Sequence, residues 1–319
     1  MNKREIVIGI DTSNYTTSVA LVTTDGELIA NIKRPLPVKL GECGLRQSDA
    51  VFAHVKNLPE CMNEAREYLA GDIPVAVGVS ERPRNLEGSY MPCFLAGVNT
   101  ATAASIASKA PLYRYSHQCG HIAAAIYSSG SEALLSGQFA AFHVSGGTTE
   151  LLSVKRADNG FIADHIGGTR DLNAGQIVDR IGVAMGLPFP AGPHIEALAL
   201  SYEGKIPKRK ISRDGLWLNL SGLENICLKL YKDTDDKALV SAFVLEYIAS
   251  ALLELSLEYI KLHGETHFVF AGGVMSNSII KAKLSANLEC SFAEPAMSAD
   301  NAVGIAYLSL LEHKSRNGE

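Results

Sequence analysis

The chain has 319 residues, 47% apolar and 20% charged, with a formal net charge of −5. That length fits about two ordinary domains, and the composition is that of a globular protein with a real core rather than a disordered chain. The negative balance disfavours a nucleic-acid binder that works by its own charge.

Six cysteines without a CxxC pair exclude a zinc ribbon or a disulfide frame and read as reduced thiols of a cytoplasmic protein. No apolar run is expected to span a membrane, which takes roughly 18 residues. The N-terminal stretch MNKREIVIGID runs directly into a strand, without the apolar segment and cleavage site of a signal peptide.

The chain opens IVIGIDTSNYTTSVALVTTDGELI: an apolar strand, a polar loop, a second strand, and an Asp-Gly turn that favours a tight hairpin. Near the middle, AAFHVSGGTTELLSVKRADNGFI repeats the pattern with an Asn-Gly turn at Asn159 and Gly160. The echo predicts two similar lobes. The loops offer hydroxyls and unobstructed backbone N–H groups, from Thr12, Ser13, Thr16 and Thr17 in the first copy and from Ser145, Gly146, Gly147, Thr148 and Thr149 in the second. Hydroxyls and open backbone N–H groups form concavities suited to phosphate oxygens.

Between the copies lies SHQCGH, residues 116–121. On a helix, His117 and His121 sit one turn apart on one face and can reach a single ion at about 2.0–2.1 Å. A bare pair of this spacing is equally two ordinary helix histidines. The hydrolytic HExxH pattern needs a Glu where Gln118 stands, so the metalloprotease reading is poor on chemistry. A metal would need a third ligand from elsewhere, most simply a carboxylate.

Downstream, 174–187 is expected as a helix with Ile177, Ile181 and Ala184 on its apolar face and Asp179 turned off it. The stretch KIPKRKISR, 205–213, holds five basic residues and no acid, either a solvated loop or a contact for RNA or an acidic partner. Residues 235–264 read as a long helix stopped by Gly264. FVFAGGVMSNSIIKAKL, 268–284, is a buried strand, a glycine turn and a helix whose N-terminus favours anions. The C-terminal segment from residue 299 is a helix with Asp300 at or near its N-cap. No P-loop and no GxGxxG fingerprint occurs.

Taken together, HQCGHI, VSGGTTEL, AGQIVDRIGVAMGLPFPAGPHIEALA, LNLSGL, FAGGVMSNSIIKAKL and SADNAVGIAY, in this order along essentially the whole chain, resemble the boxes of the TsaD family of tRNA threonylcarbamoyl-adenosine synthesis. The resemblance implies an α/β, two-lobed actin-like ATPase fold with duplicated mixed-sheet lobes and a central cleft. The N-terminal lobe is expected over 1–115 plus 300–319 and the C-terminal lobe over 116–299. The resemblance further implies a divalent metal held by His117, His121 and Asp300. Two His and an Asp suit zinc, iron or manganese.

The resemblance also assigns a catalytic part to Asp11. It assigns contacts to ATP or threonylcarbamoyl-adenylate to Thr12, Ser13, Val144, Ser145, Gly146, Gly147, Thr148, Asp179, Gly192, Glu196, Gly272, Gly273 and Asn277. It implies transfer of threonylcarbamoyl to a tRNA adenosine beside the anticodon, and a small paralogous partner subunit on the N-terminal lobe.

The chain departs from the family pattern in the first loop, where Tyr15 and Thr16 replace an Asp-Glu pair. It departs again at Thr148, where the family has His, and over 81–97, which holds Arg82 and Arg84. Two alternatives follow: a divergent paralogue that binds or hydrolyses the adenylate or an adenine nucleotide without tRNA transfer, and a non-catalytic subunit of a modification complex.

Overall fold

The computed structural model describes residues 3–37, 45–157, 160–264, 266–298 and 300–318. Asn159 of the expected second turn, Cys43 and Ala299 lie outside them. The chain divides into two compact units, Met1–Glu132 with Lys155–Ala163 and Ala296–Glu319, and Ala133–Val154 with Asp164–Pro295. The expected boundary at 115/116 thus differs from this division, which keeps the two histidines in the first unit.

In the first unit the chain forms β1 (Glu5–Thr12), β2 (Thr16–Thr23), β3 (Leu28–Pro35), α1 (Gln47–Glu67), β4 (Ile73–Arg82), α2 (Phe94–Ser108), β5 (Leu112–Ser116) and α3 (His117–Ser129). The strand order is β3-β2-β1-β4-β5. The meander β1–β2–β3 is antiparallel, while β4 and β5 add in parallel after helical crossovers. The expected Asp25-Gly26 turn is present, with Gly26 at φ 91° and its N–H on the Thr23 carbonyl at 3.0 Å. The inner strands β1 and β4 are apolar and buried, with Ile6, Ile8, Ile10, Val77 and Val79 in the unit's core, as strands covered by helices on both sides should be.

The second unit repeats the scheme. Its elements are β6 (Gln138–Val144), β7 (Thr149–Ala157), β8 (Gly160–Thr169), α4 (Ala174–Ala184), α5 (Gly192–Leu200), β9 (Arg213–Asp214), β10 (Trp217–Leu218), α6 (Ser221–Thr234), α7 (Lys237–His263), β11 (Phe268–Ala271), α8 (Ser278–Ser285) and β12 (Cys290–Phe292), except that the end of β7 from Lys155 and the start of β8 to Ala163 belong to the first unit. Its strand order, β12-β11-β6-β7-β8-β10-β9, contains the first sheet's order once β6 to β8 and then β11 and β12 are laid on β1 to β5. The echo read in the two loops is therefore a duplication of topology. The chain then adds the short α9 (Pro295–Ser298) and α10 (Val303–Asn317).

Three details depart from expectation. Helix α4 stops at Ala184, because the chain turns at Gly186 with φ 76°. Helix α7 is long and apolar enough to cross a membrane, contrary to the reading that no run reaches that length, but 67% of its most apolar window is buried inside the fold. Val240, Val244, Ile248, Ala251 and Leu255 pack into the second unit's core, so α7 is a core helix. Last, Asp300 does not cap α10: the helix begins at Val303, and Asn301 Oδ1 accepts the Val303 N–H at 3.0 Å.

Candidate functional site

Helix α3 begins where it does because the Ser116 hydroxyl accepts the Cys119 N–H at 3.2 Å, an N-cap that satisfies one of the helix's orphan donors. The helix is buried over 118–126, which holds its first turn rigid. His117 and His121 stand on that turn with Nε2 atoms 3.0 Å apart. Asp300 Oδ1 lies 3.5 Å from His117 Nε2 and 3.3 Å from His121 Nε2. One donor atom from each of the three lies within 4.8 Å of the other two.

A close helix crossing supplies the carboxylate. A Cβ at Gly304 on α10 would sit 1.8 Å from the Gly120 carbonyl oxygen on α3. The glycine at 304 permits that approach, and it carries the segment before α10, with Asp300, to the histidines.

Behind the cluster, His117 Nδ1 donates to Asp11 Oδ1 at 2.8 Å. This bond fixes the ring so that Nε2 faces Asp300 and His121, the arrangement in which a carboxylate orients a metal-binding imidazole. Asp11 is fully buried and also accepts the Ser13 N–H at 3.2 Å. Asp11, expected as a catalytic residue, stands in this structure as the buried hydrogen-bond partner of His117.

The electrostatics follow from the same contacts. Burial alone would push the His117 imidazole down, but the charges and hydrogen bonds of Asp11 and Asp300 outweigh it and raise the group to about 10. Burial works to raise the Asp300 carboxyl, and hydrogen bonds and charge from His117 and His121 hold it well below the usual range. Asp11 is likewise lowered: the His117 charge and hydrogen bond outweigh its burial. A field that favours positive charge so strongly suits a cation. Two imidazole nitrogens, one carboxylate oxygen and an orienting carboxylate fit a divalent first-row metal with positions left for a substrate or water.

The first loop is used differently from expectation. Ser13 faces the cluster, its hydroxyl donating to Asp300 Oδ2 at 3.0 Å. Thr12 is fully buried: its hydroxyl donates to the Cys93 carbonyl at 3.1 Å and accepts the Gly97 N–H at 3.2 Å. Thr17 is buried too, against His54. Both hydroxyls are thus engaged inside the fold. Thr16 is half-buried and Tyr15 is 44% exposed.

In the second unit, the β6–β7 turn places Gly146 and Gly147 in open space. The Ser145 hydroxyl accepts the N–H groups of Gly147 and Thr148, each at 3.2 Å, and meets the Thr148 hydroxyl at 2.8 Å. Thr148 in turn lies 3.3 Å from His143 Nδ1. Gly272, at φ 98°, packs so closely that a Cβ would sit 2.4 Å from the Val144 carbonyl oxygen. Val144, Gly272 and Gly273 thus come together at the ends of β6 and β11, which pair through Ala271 and His143.

Three further expected residues gather on neighbouring elements, each already engaged. Asp179 on α4 is half-buried and accepts the Ala191 N–H at 2.8 Å beside Gly192; burial raises its carboxyl. Asn277 caps α8 through Ile279 and Ile280. Glu196 accepts from the Ser278 N–H at 2.7 Å and from its hydroxyl. The N-terminus of α8, expected to welcome an anion, already has a protein carboxylate.

Residues 47–307 match the family described as TsaD, tRNA N6-adenosine threonylcarbamoyltransferase. The protein of that name from Streptococcus suis is 31% identical, the alignment covering 99% of this chain and 95% of the relative. That from Streptococcus pneumoniae is 30% identical over 99% and 94%, and one from Bacillus thuringiensis 28% identical over 96% and 91%.

Solved structures share the fold at low identity. Full-length HypF in its phosphate- and nucleotide-bound form has a TM-score of 0.59 at 12% identity, covering 100% of this chain and 47% of HypF. A ROK family protein from Streptococcus pneumoniae, solved with sucrose, has 0.55 at 11%, over 98% and 99%. Component A of the Acidaminococcus fermentans (R)-2-hydroxyglutaryl-CoA dehydratase has 0.53 at 14%, over 97% and 98%. These place the two mixed sheets in the actin-like ATPase fold. With its family matched over most of its length, the chain belongs to the TsaD family of tRNA N6-adenosine threonylcarbamoyltransferases.

Proposed function

We propose that this chain transfers the threonylcarbamoyl group of threonylcarbamoyl-adenylate to the N6 amine of a tRNA adenosine beside the anticodon, releasing AMP. The observation that carries the reading is the convergence of His117, His121 and Asp300 within 4.8 Å, with Asp11 orienting His117. A divalent metal bound there would polarise an oxygen of the acyl or phosphate group. The chain's own part is to hold the acyl donor in place, so that attack by the amine needs little further ordering.

The adenylate is held by the second unit's glycine turns. Gly146, Gly147, Gly192 and Gly273 leave open space where a side chain would stand, and Ser145, Thr148, Asp179, Glu196 and Asn277 brace the backbone around them. The tRNA is met by the basic stretch before β9. There Lys205, Lys208, Arg209 and Lys210 are exposed, while Arg213 is committed to Glu254 and Glu258. The partner subunit docks on α1 and α2 of the first unit. Phe52 and Val55 are exposed there at 68% and 57%, next to a groove of about 320 Å³ lined by Leu58, Pro59, Met62 and Ala96. This work belongs to the cytoplasm, where tRNA is.

A second reading is favoured by one observation. The first loop presents Tyr15 to solvent where the family pattern has an acidic residue. With the amine's acceptor machinery lost, water replaces tRNA and the chain hydrolyses the adenylate. A non-catalytic subunit is disfavoured, since such a subunit has no use for the oriented cluster. Incubation with preformed threonylcarbamoyl-adenylate and tRNA separates them. Modified tRNA with equimolar AMP supports transfer, AMP with unmodified tRNA supports hydrolysis, and no AMP supports the subunit.

A further inference from the structure

We infer that His54 on α1 is a positioning residue for the His117–His121–Asp300 cluster, acting through the backbone of Ser13; this rests on the reading that the cluster binds a divalent cation. His54 is fully buried. Its Nε2 lies 2.8 Å from the Ser13 carbonyl oxygen and its Nδ1 2.8 Å from the Thr17 hydroxyl. A carbonyl only accepts, so Nε2 carries the proton. Nδ1 of the neutral ring is then an acceptor and takes the Thr17 hydroxyl hydrogen.

Asn57 Nδ2 donates to the same hydroxyl at 3.3 Å, which fills its acceptor side and directs its hydrogen to His54. The result is a one-way chain from Asn57 through Thr17 and His54 to Ser13. Burial pushes the His54 imidazole down, in keeping with a neutral ring.

Ser13 is where the chain of bonds becomes functional. Its N–H donates to Asp11 Oδ2 at 3.2 Å and its hydroxyl to Asp300 Oδ2 at 3.0 Å. One residue thus addresses the carboxylate behind His117 and the carboxylate within the cluster. Thr12 and Thr17 form the last β1–β2 pair, so Ser13 has no ladder partner to fix its peptide plane. His54 grips both sides of that hairpin mouth, Thr17 by one nitrogen and Ser13 by the other.

The test uses the full chain and Zn²⁺ or Mn²⁺ in competition with a chelating fluorophore. His54→Asn retains a polar group towards Thr17 but loses the donor to Ser13. It is expected to weaken cation binding about 10- to 100-fold, the range for groups that orient metal ligands. His54→Gln extends an amide N–H to the Ser13 carbonyl and is expected to stay within about threefold of the parent. Folded H54N that binds as tightly as the parent, or H54Q as weak as H54N, overturns the inference.

Should H54N not fold, Ser13→Ala and Thr17→Val read the same chain. The two losses are expected to be non-additive in the double variant, as for residues in one network; additive losses overturn the inference. A parent chain that binds neither ion removes the metal reading itself, a separate failure from that of His54.

Discussion

The Ser13 hydroxyl donates to Asp300 at 3.0 Å, joining residues 287 apart in the sequence. The bond ties the first strand–loop–strand unit of the chain to the segment that precedes its last helix. It holds one lone pair of Asp300, while the other oxygen faces the two imidazoles. Ser13→Ala should therefore weaken divalent-cation binding about 10-fold, at the low end for orienting groups, while leaving adenylate affinity unchanged. Paired titrations of metal and adenylate check this; an equal loss of both would point to general damage instead.

Gly304→Ala should be among the most harmful small substitutions. The new methyl would meet the Gly120 carbonyl oxygen at 1.8 Å, so α10 must move off α3 and carry Asp300 with it. Overpacking of this kind costs about 1–3 kcal/mol. Thermal melts should show the loss, and cation binding should fall even at temperatures where the variant is folded. Gly304→Ala with native stability and metal affinity would show that the crossing does not place Asp300.

Gly272→Ala tests the adenylate turn. Its φ of 98° and its 2.4 Å approach to the Val144 carbonyl oxygen both refuse a side chain. Adenylate affinity is expected to drop more than about 10-fold, since a misplacement of the order of 1 Å at a positioning turn has effects of that size or larger. Cation binding should persist. Calorimetry with a non-hydrolysable adenylate analogue measures it.

Asp171 gives the chain a pH-dependent stability of known sign. It accepts the N–H groups of Leu172, Leu220 and Ser221, the last two at the start of α6. Burial works to raise its carboxyl, but the Ser221 hydroxyl and these N–H groups outweigh it and lower it to about 2. A carboxyl lowered on folding contributes stability that is full above its unfolded value and is lost as pH falls towards the folded one. Asp171→Ala should thus be less stable than the parent by about 1 kcal/mol at pH 7, the size of a lost N-cap. The gap should close between about pH 4 and pH 2. Urea melts at pH 7, 4 and 2.5 decide it, and a gap independent of pH would refute the assignment.

The basic stretch predicts a salt signature. Replacing Lys208, Arg209 and Lys210 by Gln should make the dependence of log K for tRNA on log salt shallower by about 2 units, at roughly 0.7–0.9 per phosphate contact. Filter binding over a salt series measures the slope; an unchanged slope would assign the stretch to a solvated loop.

How much of this was legible in the sequence can be argued from particular residues. The duplicated topology showed through because hairpin turns and strand alternation are local signals, and Asp25-Gly26 carries one outright. The pair His117 and His121 was visible by spacing, and Asp300 entered only through the family boxes. No local pattern says that α10 crosses α3 at two glycines. The inward turn of Thr12 and Thr17, the burial of Asp11 and the role of Asn301 as the cap in place of Asp300 depend on long-range packing that composition does not encode.

His54 escaped notice for the same reason. It lies on a helix with Pro59 inside it, and its partners, Ser13 and Thr17, are 41 and 37 residues away. Its sequence neighbours, Val51, Phe52, Ala53 and Val55, are apolar, so locally it reads as an ordinary helix histidine. Helix α7 misled in the opposite sense: an apolar length that a bilayer would accept is spent on the core.

The central claim is that His117, His121 and Asp300 form one cation site. Equilibrium dialysis of the full chain against Zn²⁺ or Mn²⁺, beside the variants His117→Ala, His121→Ala and Asp300→Ala, tests it most directly. The account predicts one cation per parent chain and a large loss of affinity in each variant. A parent chain that retains no cation, or variants that bind as the parent does, would contradict it.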